Sequence, residues 1–197
     1  VCSNGTRVFV HKDIKDAFLT RLSERLAAAV IGDPQDPETS FGPMVSARQM
    51  EIVQGYIAKG EAEGARLVCG GERLDREGFF VAPTVFADVT DDMIIAREEI
   101  FGPVLAIMPY KTEAEAIDIA NDTVYGLSGY VFGGDLERVR DVASQLRTGN
   151  VHLNGAGPDF GAPFGGYKQS GNGREWGEFG FEEFLEVKAV MGFAAAD

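Results

Sequence analysis

The chain has 197 residues, 45% of them hydrophobic and 25% charged, with 31 acidic against 18 basic side chains and a net charge of −13. A chain of this size and balance can bury a full core without metals or disulfides, which excludes disorder as a description of the whole. The negative field repels nucleic-acid phosphates and anionic membrane surfaces, and no apolar run reaches the roughly 20 residues that span a bilayer, so no nucleic acid and no membrane is expected as partner. The two cysteines, Cys2 and Cys69, form neither a disulfide framework nor a zinc spacing. That is the pattern of a reducing compartment, and with no signal peptide visible the cytoplasm is the expected location. The chain begins at Val1 rather than methionine, as expected of a processed chain or of the downstream part of a longer one.

In chain order, Thr6 to His11 (TRVFVH) reads as a strand. Asp13 is placed to cap a helix whose apolar residues Ile14, Phe18, Leu22, Leu26 and Val30 recur every four positions. A proline-punctuated loop from Asp33 to Pro43 follows. Ser46 and Gln49 have capping-box spacing and open a helix to about Glu63. Arg66 to Cys69 is a short strand, and Phe79 to Phe86 is an extended segment that Pro83 assigns to a sheet edge. Pro103 to Tyr110 (PVLAIMPY) is almost continuously apolar, as in a strand covered on both faces. Thr112 and Glu115 form a second capping box, opening a helix to Asn121. Leu127 to Phe132 is a strand, Asp135 to Arg147 a helix with Leu136, Val139, Ala143 and Leu146 on one face, and Asn150 to Asn154 the next strand. Gly155 to Gly180 is a long glycine-rich loop, a feature more often functional than incidental in a compact domain. Phe184 to Gly192 reads as extended, with an unpaired edge. The alternation predicts an α/β fold with a largely parallel sheet flanked by helices.

Cys2 sits among small polar residues just ahead of a strand, where a thiol can serve as a nucleophile beside backbone N–H groups; a small buried hydrophobe fits the same residue. Its only potential imidazole partners are His11 and His152. Gly155-x-Gly157 and Gly171-x-Gly173 both miss the dinucleotide fingerprint, having Phe160 and Trp176 where the third glycine belongs, and neither has the strand–turn–helix setting. Glu98-Glu99-Ile100-Phe101 precedes the apolar strand. A carboxylate there can bind ribose hydroxyls and Phe101 can pack on a flat ring, while a solvated acidic turn with Phe101 in the core fits equally well. Arg174 and Glu175 read as surface charges, with Glu175 able to handle protons if buried.

Three motifs, VCSNGTR at the start, EEIFGPV in the middle and PFGGYKQSGNGRE near the end, resemble those of the aldehyde dehydrogenase superfamily in kind and order, from Val1 to about Val190. The resemblance implies the catalytic domain without the N-terminal dinucleotide-binding domain. Residues 1–184 would be the cysteine-bearing domain and 185–197 the strand and tail of the oligomerisation region. It implies oxidation of a small-molecule aldehyde to a carboxylic acid with NAD or NADP, through a thiohemiacetal and a thioester on the cysteine matching Cys2. Glu175 then matches a buried glutamate of the proton relay, Glu99 the carboxylate on the nicotinamide ribose, and Phe101 the aromatic beside the nicotinamide. Gln49 falls in a helix near the cofactor, where Ile52 replaces the lysine of many members. The backbone at Lys168 and Gly171 matches a monovalent cation (K+) site of betaine-aldehyde-type members, which the first half also resembles. The loop from Asn154 to Phe160 lacks the tryptophan of those members, the single Trp176 lying outside it, so Phe160 and Phe164 imply a hydrophobic or aromatic aldehyde instead. The family's general base and oxyanion asparagine lie upstream of the cysteine, which implies that these residues alone are inactive. The resemblance also implies a homo-oligomer, dimer or tetramer, for the full-length protein. The alternatives are a non-catalytic interaction domain that keeps the fold, and a thiol esterase.

Overall fold

Each of two units pairs parallel strands joined through helices, and in the first unit one edge strand runs against its neighbour. The computed structural model describes residues 1–192 and divides into two compact units, Val1–Thr123 and Val124–Asp197. Among the described residues no helix is long and apolar enough to cross a membrane.

The first unit contains, in order, β1 (Arg7–His11), α1 (Lys15–Ala27), α2 (Ala47–Ala62), β2 (Arg66–Cys69), β3 (Thr84–Ala87), α3 (Ile94–Arg97), β4 (Val104–Tyr110) and α4 (Glu113–Asn121). Its sheet has the order β1-β4-β3-β2, with β1 and β3 parallel to β4 and β2 antiparallel to β3. Side chains alternate between the faces of a strand, and here both faces are covered. Phe9, Phe86, Val104, Ala106 and Met108 enter one core with Met50, Val53 and Ile57 of α2 and Ile95 of α3. Val8, Val10, Val85, Ala87, Leu105 and Ile107 enter the other with Phe18, Leu19, Leu22 and Leu26 of α1. The continuous apolar run of β4 thus serves two cores at once.

Three local expectations need correction. Phe79 to Phe86 is not a sheet edge: the strand starts only at Thr84, after Pro83, and lies inside the sheet with all four residues buried. Proline stays outside the ladder, so it costs no strand hydrogen bond. Asp13 does not cap α1. The cap residue is Ile14, with no side-chain bond, and the Asp13 N–H instead donates to His11 Nδ1 at 3.3 Å. Val30 lies beyond the end of that helix, and the buried residue of α1 is Leu19. The two capping boxes differ as well. Thr112 and Glu115 make both reciprocal bonds, whereas Ser46 accepts from the Gln49 N–H and the Gln49 side chain goes elsewhere.

The second unit opens with β5 (Ser128–Val131), α5 (Leu136–Gln145) and β6 (Asn150–Leu153); β5 and β6 pair in parallel, the helix making the crossover that parallel strands require. Asp135 caps α5 through the N–H groups of Glu137 and Arg138, and Val139 is its buried residue, while Leu136 stays exposed. A 3-10 turn at Lys168–Ser170 and α6 (Gly177–Glu182) break up the glycine-rich loop. Leu185 to Val190 belongs to no sheet among the described residues and is exposed, Val187 almost completely; residues 193–197 of the expected terminal segment lie outside the described residues.

Candidate active site

Parallel pairing sets Arg7 of β1 level with Ala106 of β4. Five residues back from each lie Cys2 and Phe101, so the register delivers both to the end of the sheet where the parallel strands begin. Cys2 is a free, exposed thiol in a turn closed by the Asn4 N–H donating to the Val1 carbonyl at 3.1 Å. His11 ends β1 and therefore lies at the opposite end of the strand, with Nε2 against the Lys111 carbonyl at 3.2 Å. It is no partner for the thiol. Cys69 is half-buried, and burial pushes its thiol up, which disfavours its thiolate.

The base of the Cys2 turn is anchored by Arg7. Its guanidinium donates to the Ile119 carbonyl at 2.8 Å and to Asp91 at 3.2 Å, and lies 5.2 Å over the Phe9 ring. Burial lowers this guanidinium from its usual range, with Asp91 opposing the shift. Arg97 binds both Asp91 and Asp122, tying α3 and the end of α4 into the same cluster. Burial raises the Asp91 carboxyl.

The Glu99–Phe101 loop is held from below by α2. Gln49 Nε2 donates to the carbonyls of Ile100 and Phe101 at 3.2 and 3.1 Å, and the Tyr56 hydroxyl donates to Glu98 at 2.7 Å. Ile100 is buried as a plug. A Cβ on Gly102 would stand 2.5 Å from Val53 Cγ2, so only glycine lets the loop lie this close to the helix. Phe101 has φ +57, unusual for a bulky residue, and half of its surface is exposed. Phe101 therefore is not the core residue that a plain acidic turn would have supplied. Glu99 is exposed and has no ion-pair partner among the described residues. A free carboxylate next to an exposed ring suits a sugar diol beside a flat heterocycle. Gln49, by contrast, spends its amide N–H groups on the loop itself.

In the second unit, Phe164 and Glu175 exchange two backbone bonds of 2.7 Å. This bridge brings Trp176 against both aromatic candidates. Its ring lies 4.8 Å from Phe164 in a stacked arrangement and 4.7 Å from Phe160 edge to face. The expectation that Trp176 lies apart from the substrate loop is corrected: spacing in sequence hid a contact made by loop closure. The only available signal was its place beside Glu175. The expected burial of Glu175 is also not found, since the residue is exposed in this chain. Arg174, expected on the surface, donates to the carbonyls of Gly166 and Gly173 and so fastens the loop. His152 is likewise occupied, stacked on Tyr130 with Nδ1 against the Ala156 carbonyl at 2.9 Å.

Lys168 has φ +56 and Gly171 φ +119, and the Lys168 carbonyl accepts from the Gly171 N–H at 3.4 Å. Two such carbonyls are fewer than an oxygen-liganded cation takes, and no group of three or more His, Cys, Asp or Glu that could hold a metal occurs among the described residues.

The geometry agrees with what the chain is similar to. The profile of the aldehyde dehydrogenase family matches residues 1–190. A 3-succinoylsemialdehyde-pyridine dehydrogenase from a Pseudomonas species is 65% identical over 167 residues, 83% of this chain and 35% of that protein. The crystal structure of a mutant aldehyde dehydrogenase from Pseudomonas syringae, in complex with NAD+ and octanal, superposes with a TM-score of 0.96 at 50% identity, covering 100% of this chain and 41% of that one. A betaine aldehyde dehydrogenase mutant from Staphylococcus aureus gives a TM-score of 0.92 at 42% identity, covering 95% and 38%. The chain thus spans roughly two fifths of the length of the proteins it matches. With a family profile over nearly its whole length, close relatives and the same fold, the chain belongs to the aldehyde dehydrogenase family.

Proposed function

We propose that this chain is the cysteine-bearing part of an NAD(P)-dependent aldehyde dehydrogenase that oxidises a hydrophobic or aromatic aldehyde to its carboxylic acid in a reducing compartment, the cytoplasm. The observation that carries the reading is the register that delivers Cys2 and the Glu99–Phe101 loop to one end of the sheet. The chemistry follows from the thiol. The Cys2 sulfur, as thiolate, attacks the aldehyde carbon; a C–S bond forms and the carbonyl pair moves to oxygen, giving a thiohemiacetal alkoxide. The Cys2 backbone N–H is a donor for that oxygen. When bound, a nicotinamide cofactor would supply the two-electron oxidation as the hydride acceptor. Cys2 is then a thioester, which water cleaves with release of the acid and return of the thiol.

Around these steps, Glu99 would hold the ribose diol of the cofactor and Phe101 would pack beside its nicotinamide. Glu175, exposed in this chain, would carry protons between the deacylating water and bulk solvent. Phe160 and Phe164 meet the tail of the aldehyde. The hydrophobic tail is supported by relatives named for a pyridine-bearing semialdehyde and solved with octanal. Because the dinucleotide-binding domain and general base of the family lie outside these 197 residues, the chain alone turns over no aldehyde. The exposed Phe181, Phe184, Val187 and Met191 are covered in the full-length homo-oligomer.

The test is reduced-nicotinamide absorbance with a panel of aldehydes and both cofactors, on the 197-residue chain and on the protein at the full length of its relatives. Activity in the longer form only, reduced at least about 10³-fold by Cys2→Ala, is the expected result. A folded, full-length protein with cofactor bound and no oxidation of any aldehyde would overturn it, leaving an interaction domain. Release of acid from an activated ester as the sole activity would assign a thiol esterase.

A further inference from the structure

The second unit holds a residue whose placement the proposed chemistry does not explain. Trp176 has φ +65 and ψ 158, a backbone region that is almost the preserve of glycine. It also occupies the cap position of α6 without making a side-chain cap bond, where serine, threonine, asparagine or aspartate would stabilise the helix. A tryptophan in a core would account for such strain, but Trp176 is only half-buried, and Phe160 beside it is 68% exposed. The local backbone is built to hold it there. The pair of backbone hydrogen bonds between Phe164 and Glu175 fixes the residue before it, and a Cβ on Gly177, the residue after it, would overlap the Gly161 carbonyl oxygen. The strand-like bridge and the glycine therefore clamp one ring against two others.

From this we infer that Trp176 is a specificity-determining positioning residue, which holds Phe164 face to face and Phe160 by its edge so that the three rings form a shelf for a flat aromatic aldehyde tail. The inference rests on the aldehyde dehydrogenase reading and adds the chemical class of the tail. Offset-stacked and edge-to-face pairs are the arrangements that aromatic quadrupoles favour, so a planar tail continues the stack where a short aliphatic one gains nothing. Trp176 acts through the two phenylalanines rather than on the reacting carbon. Its removal therefore changes the binding of aromatic substrates and leaves the chemical step in place.

The experiment uses the protein at the full length of its relatives, with benzaldehyde and propanal as paired substrates. Trp176→Ala is expected to raise KM for benzaldehyde about 10-fold while changing kcat, and both constants for propanal, by less than about 2-fold. Trp176→Phe is expected to restore most of the benzaldehyde KM. Equal losses for both substrates, or no change for either, overturn the inference. Should Trp176→Ala fail to fold, Trp176→Leu reads the same split. An independent readout comes from Trp176 being the single tryptophan of these 197 residues. The emission lost in Trp176→Phe isolates its signal, which benzaldehyde is expected to quench and propanal is not. A wild-type protein that oxidises neither aldehyde is a failure of the dehydrogenase reading, and the quenching then decides the inference by itself: quenching by benzaldehyde alone sustains it, and its absence overturns it.

Discussion

The two units solve the problem of cohesion in different ways. In Val1–Thr123 the sheet is sandwiched between helices and most strand residues enter a core; Phe86, Val53 and Ile107 are completely buried. Among the described residues after Thr123, Val139 is the one apolar side chain that is fully buried, and large apolar residues such as Phe160, Phe181 and Phe184 are exposed. There the backbone itself packs: a Cβ on Gly149 would fall onto the Gly165 carbonyl oxygen at 1.5 Å, and one on Gly126, Gly166 or Gly180 would stand 2.5 to 2.6 Å from neighbouring main chain. Hydrogen bonds complete the job, from the Tyr167 N–H to the Gly126 carbonyl at 2.7 Å and from the Gly126 N–H to Ser170 Oγ at 2.9 Å. The first unit gains stability from area removed from water, whereas the second depends on positions where no side chain fits.

That contrast can be broken at its extremes. Gly149→Ala is the most severe single change expected, since backbone cannot retreat as a side chain can. A loss above about 5 kcal/mol, enough to unfold the second unit, should appear as loss of protease resistance confined to residues after Thr123. Retained resistance would show that the glycine backbone is not what holds it. Phe86→Ala, a cavity in the first unit, should cost about 3 to 5 kcal/mol in urea denaturation, while the exposed Phe181→Ala costs under about 0.5. Similar costs for the two would erase the distinction between the units.

The smallest effect concerns pH. Asp88 accepts from Lys15 of α1 at 2.5 Å and from Arg66 of β2 at 2.8 Å, and these bonds hold its carboxyl below the usual carboxylate range. A depressed folded-state value means that the contribution is present above the unfolded carboxylate value, near 3.9, and is lost as pH falls through the folded one. Partial exposure and salt screening keep it under about 1 kcal/mol. Urea midpoints measured from pH 6 down to pH 3 should fall less steeply for Asp88→Asn than for the parent. Parallel profiles would remove Asp88 from the account.

Much of the chain was legible before folding. The alternating apolar residues of β1, the unbroken run of β4 and the Thr112–Glu115 box each carry their own physical signal, and each element lies where it was expected. The motifs around Cys2, Glu99 and Glu175 named the family. Pro83 misled because a proline just outside a strand and one within an edge strand look alike in sequence. Asp13 misled because a capping residue is defined by the backbone angle of the first turn. Helix α3 is one turn long, too short for any periodicity to show.

By itself the sequence determined the order of elements, the class of fold and the residue types available for chemistry, because periodicity, caps and motif spacing are local. Tertiary structure alone decided who meets whom. The parallel register brings Cys2 and Phe101 to one end of the sheet, although 99 positions separate them. Gln49 gives its amide to the Phe101 loop, and the Phe164–Glu175 bridge turns Trp176 onto two phenylalanines. Such contacts depend on where two distant backbones close upon each other, and no stretch of chain read singly contains that distance.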